Sequence, residues 1–340
     1  MKTEIEIGNV SKYRSAIMGI AMLFIIMFHI GMDHKYILWG LVKCGNVGVD
    51  IFLFLSGIGL WYSWTKKPNL KHFYWRRYLR IYPTWIIIAP LFYIPNYLYH
   101  AGYSRNVLDL IANITFNWSF WRIDDLTFWY VPAIMMMYMF APAYMSLISK
   151  RPVYRWLPVV AIIFCFMQQY VAPINSLVGH VEIFWSRIPI FLLGINCGEL
   201  VRQKRTIDKS SIWLLIILFM MSLLVCINFE MVWRGHYPQI LERMNYIPLT
   251  VSLILLLVVV LDYAPKWLLK SFSFIGGISL EVYLLHAHFV IVQVNTLRLG
   301  FWLTFIITTL ISVLAGWLLS KVVTYITDKI TALYNKYSVR

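Results

Sequence analysis

Apolar stretches of roughly 20 residues recur along almost the whole chain, separated by short polar segments, and this repetition constrains the fold more than any motif does. About 20 residues at a rise of about 1.5 Å each span the hydrocarbon of a bilayer. In lipid, every backbone N–H and C=O must find a partner inside the protein, which leaves helices or a closed barrel. A barrel needs shorter strands of alternating polarity, and neither 212–225 nor 251–261 alternates. Helices remain. A soluble domain of 340 residues has no way to hide a composition that is 60% hydrophobic and only 13% charged. The expected fold class is all-α: a polytopic transmembrane helix bundle of about ten spans, both termini cytoplasmic, with 1–340 as a single membrane-embedded domain.

The spans read as 13–32, 45–64, 81–99, 127–148, 155–172, 182–201, 211–229, 246–263, 277–296 and 301–323. Lys and Arg orient them, because cytoplasmic loops retain positive charge. With the amino terminus inside, 22 of the 30 Lys and Arg fall on inner segments, from Lys2, Lys12 and Arg14 through Lys209 to Arg340. Seven fall on outer segments, namely Lys35, Lys43, Arg105, Arg122, Arg234, Arg243 and Arg298, while Arg187 lies inside a span. This placement explains the net charge of +15 through topology and anionic headgroups, so nucleic acid is not expected as a partner and membrane lipids are. Cys44, Cys165, Cys197 and Cys226 lie in or beside different spans without metal-ligand spacing and read as small core residues. The first apolar run is span-length and lacks a small-residue cleavage site, so it is expected to stay as a helix rather than act as a cleaved signal.

Ionisable residues inside apolar spans are costly and normally face a partner or a water-filled cavity. Here they are His29, Asp50, Arg187, Glu199, Glu281, His286 and His288, with Arg14 and Arg80 at the inner ends of their helices. Alternating span direction sorts them by depth into two layers. His29 lies about 22 Å above Arg14 at the helical rise, near the outer end of the first span. Asp50 lies early in the second span, at a similar depth. These two helices are expected to be antiparallel neighbours, so Asp50 is expected to accept a hydrogen bond from one ring nitrogen of His29 and leave the other basic. A cap or helix–helix hydrogen bond is the plainer reading of Asp50, an interhelical hydrogen bond that of His29, and pairing with an outer carboxylate that of Arg187. Arg187, Trp129, Tyr130, Asp124 and Asp125 belong to the same outer layer. His286 and His288, two residues apart, face different sides of a helix, and no metal site is expected.

The inner layer is basic. In Phe73-Tyr74-Trp75-Arg76-Arg77-Tyr78-Leu79-Arg80, the i, i+4 spacing sets Arg76 and Arg80 on one helical face. Grouped guanidinium groups suit phosphate. A positive-inside anchor with no ligand has the same pattern.

Several segments, taken in order, resemble the acyltransferase-3 family of integral membrane O-acyltransferases. They are Ala16-Ile17-Met18-Gly19-Ile20-Ala21 running to Phe28-His29, then Gly48-Val49-Asp50-Ile51-Phe52, then the arginine segment. Phe128-Trp129-Tyr130-Val131-Pro132 follows, then Arg187-Ile188-Pro189-Ile190-Phe191 and Ser279-Leu280-Glu281-Val282-Tyr283-Leu284-Leu285-His286. One position departs. The family usually carries an arginine eleven residues before the histidine matched by His29, and this chain has Met18 there. Arg14 lies about 60° round the helix from His29 and one turn below Met18, where it can supply a cation.

The resemblance implies an acyl-CoA co-substrate, with acetyl-CoA the expected donor, and a glycan or lipid-linked sugar as acceptor, in a bacterial cell membrane. On that reading Arg14, Arg76, Arg77 and Arg80 hold the CoA phosphates. His29, oriented by Asp50, acts as general base, and Arg187 or Tyr130 stabilises the thioester oxyanion. A covalent acyl-histidine is open on the same residues. Two other classes stay open: a transporter or flippase of a glycan, lipid or metabolite, and a receptor or scaffold without catalysis.

Overall fold

The computed structural model describes residues 4–208 and 210–338, and it is nearly all helix. Lys2, Lys209 and Arg340, counted above on the inner side, lie outside the described residues. The main helices are α1 (Arg14–Ile30), α2 (Val47–Lys66), α3 (Leu70–Leu98), α4 (Tyr130–Lys150), α5 (Leu157–Tyr170) and α6 (Glu182–Arg202). They are followed by α7 (Ser211–Met231), α8 (Gln239–Asp262), α9 (Lys266–Gly277), α10 (Ser279–Leu285) and α11 (Phe301–Ser338). Two three-residue strands, β1 (Glu4–Glu6) and β2 (Thr206–Asp208), pair antiparallel and tie the start of the chain to the loop after α6.

Every expected span holds a helix, but among the described residues six helices, not ten, are both long and apolar enough to cross a membrane, and seven if one bent pair counts as a span. The shortfall has identifiable causes. Helix α1 has 17 residues and α5 has 14, short of the roughly 20 a crossing needs. Helix α3 has 29 residues, but arginines, tyrosines and three internal prolines dilute its hydropathy. The bent pair is α9 with the segment Ser279–Asn295, which turn through 62° at Ile278.

Close backbone approach fixes which helix faces meet. A Cβ added to Gly19 of α1 would lie 2.0 Å from the Phe272 carbonyl oxygen of α9, and one on Gly276 would lie 1.9 Å from that of Ser15. The numbering runs in opposite senses, so α1 and α9 are antiparallel. Helices α2 and α6 meet through Gly57 and Gly194, where added Cβ atoms would lie 2.5 Å from the Phe191 oxygen and 2.3 Å from that of Phe54. The Cβ added to Gly57 would also lie 2.9 Å from the Gly194 carbonyl carbon, and one on Gly198 would lie 2.5 Å from the Trp61 Cβ; these pairs rise together, and the two helices are parallel. Small residues at such crossings allow the tight packing that drives helix association in lipid.

Candidate active site

Helix α3 begins where the Asn69 side chain accepts the His72 backbone N–H at 2.8 Å, which caps the helix. That start sets Arg76, Arg77 and Arg80 in the second and third turns, facing Arg14 at the foot of α1. All four line one cavity of about 350 Å³ with Met18, Ser56, Tyr130, Tyr138 and Tyr283. Arg76 and Arg80 are exposed at its mouth, whereas Arg14 and Arg77 are half-buried. Arg77 lies over the Tyr138 ring, 5.7 Å from its centre, and Arg80 donates to the Gly277 carbonyl at 3.4 Å. Gly59 of α2 makes room for Arg14, since a Cβ there would come within 3.2 Å of Nη2.

None of these four arginines pairs with a carboxylate among the described residues, and the buried Nε atoms of Arg14 and Arg77 have no acceptor. Guanidinium groups so placed favour an anion with several oxygens, and phosphate meets the fork geometry. Met18 and Arg14 open into the same space. The cation that the family resemblance expects at 18 is supplied to this cavity from one turn below.

A second cavity, of about 360 Å³, is lined by His29, Asp125, Trp129, Tyr283, His286 and His288, among others. His29 is exposed toward it. Its loop wall is pinned by Asn117, which is fully buried in a left-handed conformation, accepts from the Tyr93 hydroxyl at 2.9 Å and donates to the Thr127 carbonyl at 2.7 Å. Asp125 caps the next turn by accepting the Thr127 N–H at 2.9 Å.

The hydrogen bonds around His29 fix its tautomer. His29 Nδ1 lies 2.8 Å from the Ile25 carbonyl oxygen, which only accepts, so Nδ1 carries the proton. His286 Nδ1 likewise lies 2.7 Å from the Tyr283 carbonyl and is protonated, which leaves its Nε2 as an acceptor. That Nε2 sits 3.2 Å from His29 Nδ1, so His29 donates to both Ile25 and His286. His29 Nε2 keeps its lone pair. His286 belongs to a π-helical turn (His286–Ile291), a local widening that is frequent at functional sites. His288, on another side of this turn, packs its ring against Phe92 and Phe128.

Two expected roles are corrected. The hydrogen bond expected between Asp50 and His29 is not the one formed: Asp50 accepts from Arg187 Nη1, both side chains are essentially inaccessible, and neither residue lines either cavity. The Gly57/Gly194 crossing is the cause, because it presses α2 onto α6 and turns Asp50 toward Arg187 rather than toward α1. Arg187 is therefore also out of place as an oxyanion donor. Its guanidinium faces the Tyr246 ring at 5.6 Å. Tyr130 is differently placed, since it lines the arginine cavity and its hydroxyl forms no hydrogen bond among the described residues. Glu199 is engaged by Trp61, Arg202 and Gln203, and Glu281 accepts from Thr84 at 3.2 Å; neither lines a cavity described above.

The sequence marks His286 as an ionisable residue within a span but gives neither it nor Tyr283 a place beside His29. The available signal was the Ser279–His286 segment itself, where an aromatic and a histidine lie one turn apart in an apolar helix.

Family comparison fits this geometry. An acyltransferase-domain family model, acyltransferase 3, matches residues 16–321. The chain belongs to the acyltransferase-3 family. Membership makes it a membrane acyltransferase in general terms, and both cavities lie within the matched region. The chain is also similar to "Regulator of hypoxia-inducible factor 1" of Caenorhabditis elegans, with 30% identity over 135 residues, 35% of this chain and 27% of that protein. It thus spans about a quarter of that relative's length. No solved structure matches the chain.

Proposed function

We propose that this acyltransferase moves an acyl group, acetyl in the simplest case, from a cytoplasmic acyl-CoA to a hydroxyl of a cell-surface or lipid-linked glycan. The observation that carries the reading is the pairing of an uncompensated four-arginine cavity with a second cavity in which His29 presents a basic Nε2. Arg76 and Arg80, at the mouth, meet the CoA phosphates first. Arg77 and Arg14 lie deeper and draw the anionic end inward, which directs the pantetheine arm toward Tyr283. Trp129 and Asp125 suit a sugar, offering an aromatic face and a hydroxyl acceptor.

His29 Nε2 takes the proton of the acceptor hydroxyl as its oxygen attacks the thioester carbonyl carbon. The Tyr130 hydroxyl donates to the developing oxyanion. As the tetrahedral species collapses, the ester C–O bond is kept, the C–S bond breaks, and the His29 proton passes to the departing CoA sulfur. While His29 is protonated, its Nδ1–H bonds to the Ile25 carbonyl and His286 Nε2 become charge-assisted and stronger. This is the orienting role that Asp50 was expected to fill.

The test is transfer of isotopically labelled acetyl from CoA to cell-envelope glycan by the purified protein, compared with His29→Ala. Label on the glycan that is lost in the variant supports the reading. Full activity in the variant would remove His29 as the base, and glycan movement without label transfer would favour transport.

A further inference from the structure

Tyr283 is the residue that the two cavities have in common. Its ring lies 5.4 Å from that of Tyr130, inclined at 62°, and 5.7 Å from that of His286, whose ring is 4.8 Å from His29. A continuous aromatic seam therefore runs from the arginine cavity to the base, with Tyr283 at its middle. Its backbone also holds His286, the hydrogen-bond partner of His29, since its carbonyl accepts the His286 Nδ1–H.

We propose that the Tyr283 ring is the partition between a donor chamber and an acceptor chamber, and that it sets the length of acyl chain the enzyme transfers. This rests on the reading of the arginine cavity as the acyl-CoA site. With phosphates at the arginines and the attacking hydroxyl at His29, the thioester carbon must sit at the seam. Everything beyond that carbon then shares about 360 Å³ with the acceptor. A two-carbon acyl group leaves that space to the sugar, while a longer chain takes it or must displace the Tyr283 ring. The ring also narrows the opening between the chambers so that the acyl group and the acceptor fill it, with little room for water beside the thioester. Removing it joins the two cavities, and water can then attack the thioester carbonyl, breaking the C–S bond to give a carboxylate and the free CoA thiol.

The measurement is thiol release from acetyl-, butyryl-, hexanoyl- and octanoyl-CoA by the full-length protein in lipid nanodiscs, with no acceptor added. Tyr283→Ala is expected to raise release from acetyl-CoA at least tenfold and the hexanoyl-to-acetyl ratio at least tenfold. Tyr283→Phe, which keeps both ring and backbone carbonyl, should keep the wild-type hexanoyl-to-acetyl ratio. Tyr283→Cys provides an opening that can be refilled in one preparation: it should behave as Tyr283→Ala until a benzyl thiosulfonate reagent restores a ring, and as wild type afterwards. Equilibrium CoA binding reports on the arginine cavity in each variant. Wild type and variants that bind CoA with an unchanged chain-length ratio and no added hydrolysis would overturn the partition alone. A wild type that does not bind CoA would overturn the underlying reading and the partition together.

Discussion

Two arginine sites inside this protein make a direct comparison. Arg187 lies between α2 and α6 with its charge matched by Asp50, is essentially inaccessible, and touches neither cavity. Arg14 and Arg77 lie in a cavity of about 350 Å³, half-buried, with no carboxylate partner among the described residues. A charge in an apolar span suggests function by default, yet only one of these sites has the form of a ligand site. What separates them is whether the partner charge belongs to the chain. Where it does, the arginine is part of the scaffold; where it does not, the site has the form that an anion from outside would fit.

The largest effect that sharpens the contrast is at His29, the proposed base beyond the arginine cavity. His29→Ala should lower the rate of acyl transfer by about 10²–10⁴-fold, the usual range for a general base, with CoA binding unchanged. Next is the scaffold pair. Asp50→Ala or Arg187→Ala alone should destabilise the protein by about 3–5 kcal/mol, because each strands a buried charge. The double change to apolar residues of similar size should recover most of that, read as thermal stability in lipid. If the two single changes left stability intact and abolished transfer, Asp50 and Arg187 would belong to the chemistry after all.

Smaller effects follow at the arginines. Arg14→Met should weaken CoA binding by about 1.5–3 kcal/mol, the range for a hydrogen bond to a charged group. Restoring a cation at the neighbouring position with Met18→Arg should return part of it, since both residues line the same cavity. The smallest effect is expected at His286, where His286→Ala removes one of two acceptors for the His29 Nδ1–H. A loss of about 0.5–1.5 kcal/mol in kcat with little change in KM is expected.

Much of this was legible in the chain. The runs of apolar residues located the helices, and the spacing of Arg76, Arg77 and Arg80 on one capped helix brought them together with Arg14. The partner of His29 was not legible. Uniform rise along straight helices ranks residues by depth but says nothing of azimuth, and it is the Gly57/Gly194 crossing that turns Asp50 toward Arg187. Depth itself fails at the ninth expected span, because the 62° bend at Ile278 and the π turn at His286–Ile291 move His286 up to His29. Glycine crossings and helix breaks are long-range geometry, to which the local pattern is blind.

The most direct test of the contrast is equilibrium binding of CoA against pantetheine, which lacks the nucleotide and phosphates, to the wild type and to Arg77→Met/Arg80→Met. The account predicts that CoA binds the wild type far more tightly than pantetheine does and that the double variant loses this preference. Equal affinity for the two ligands, or a preference untouched by the double variant, would contradict it.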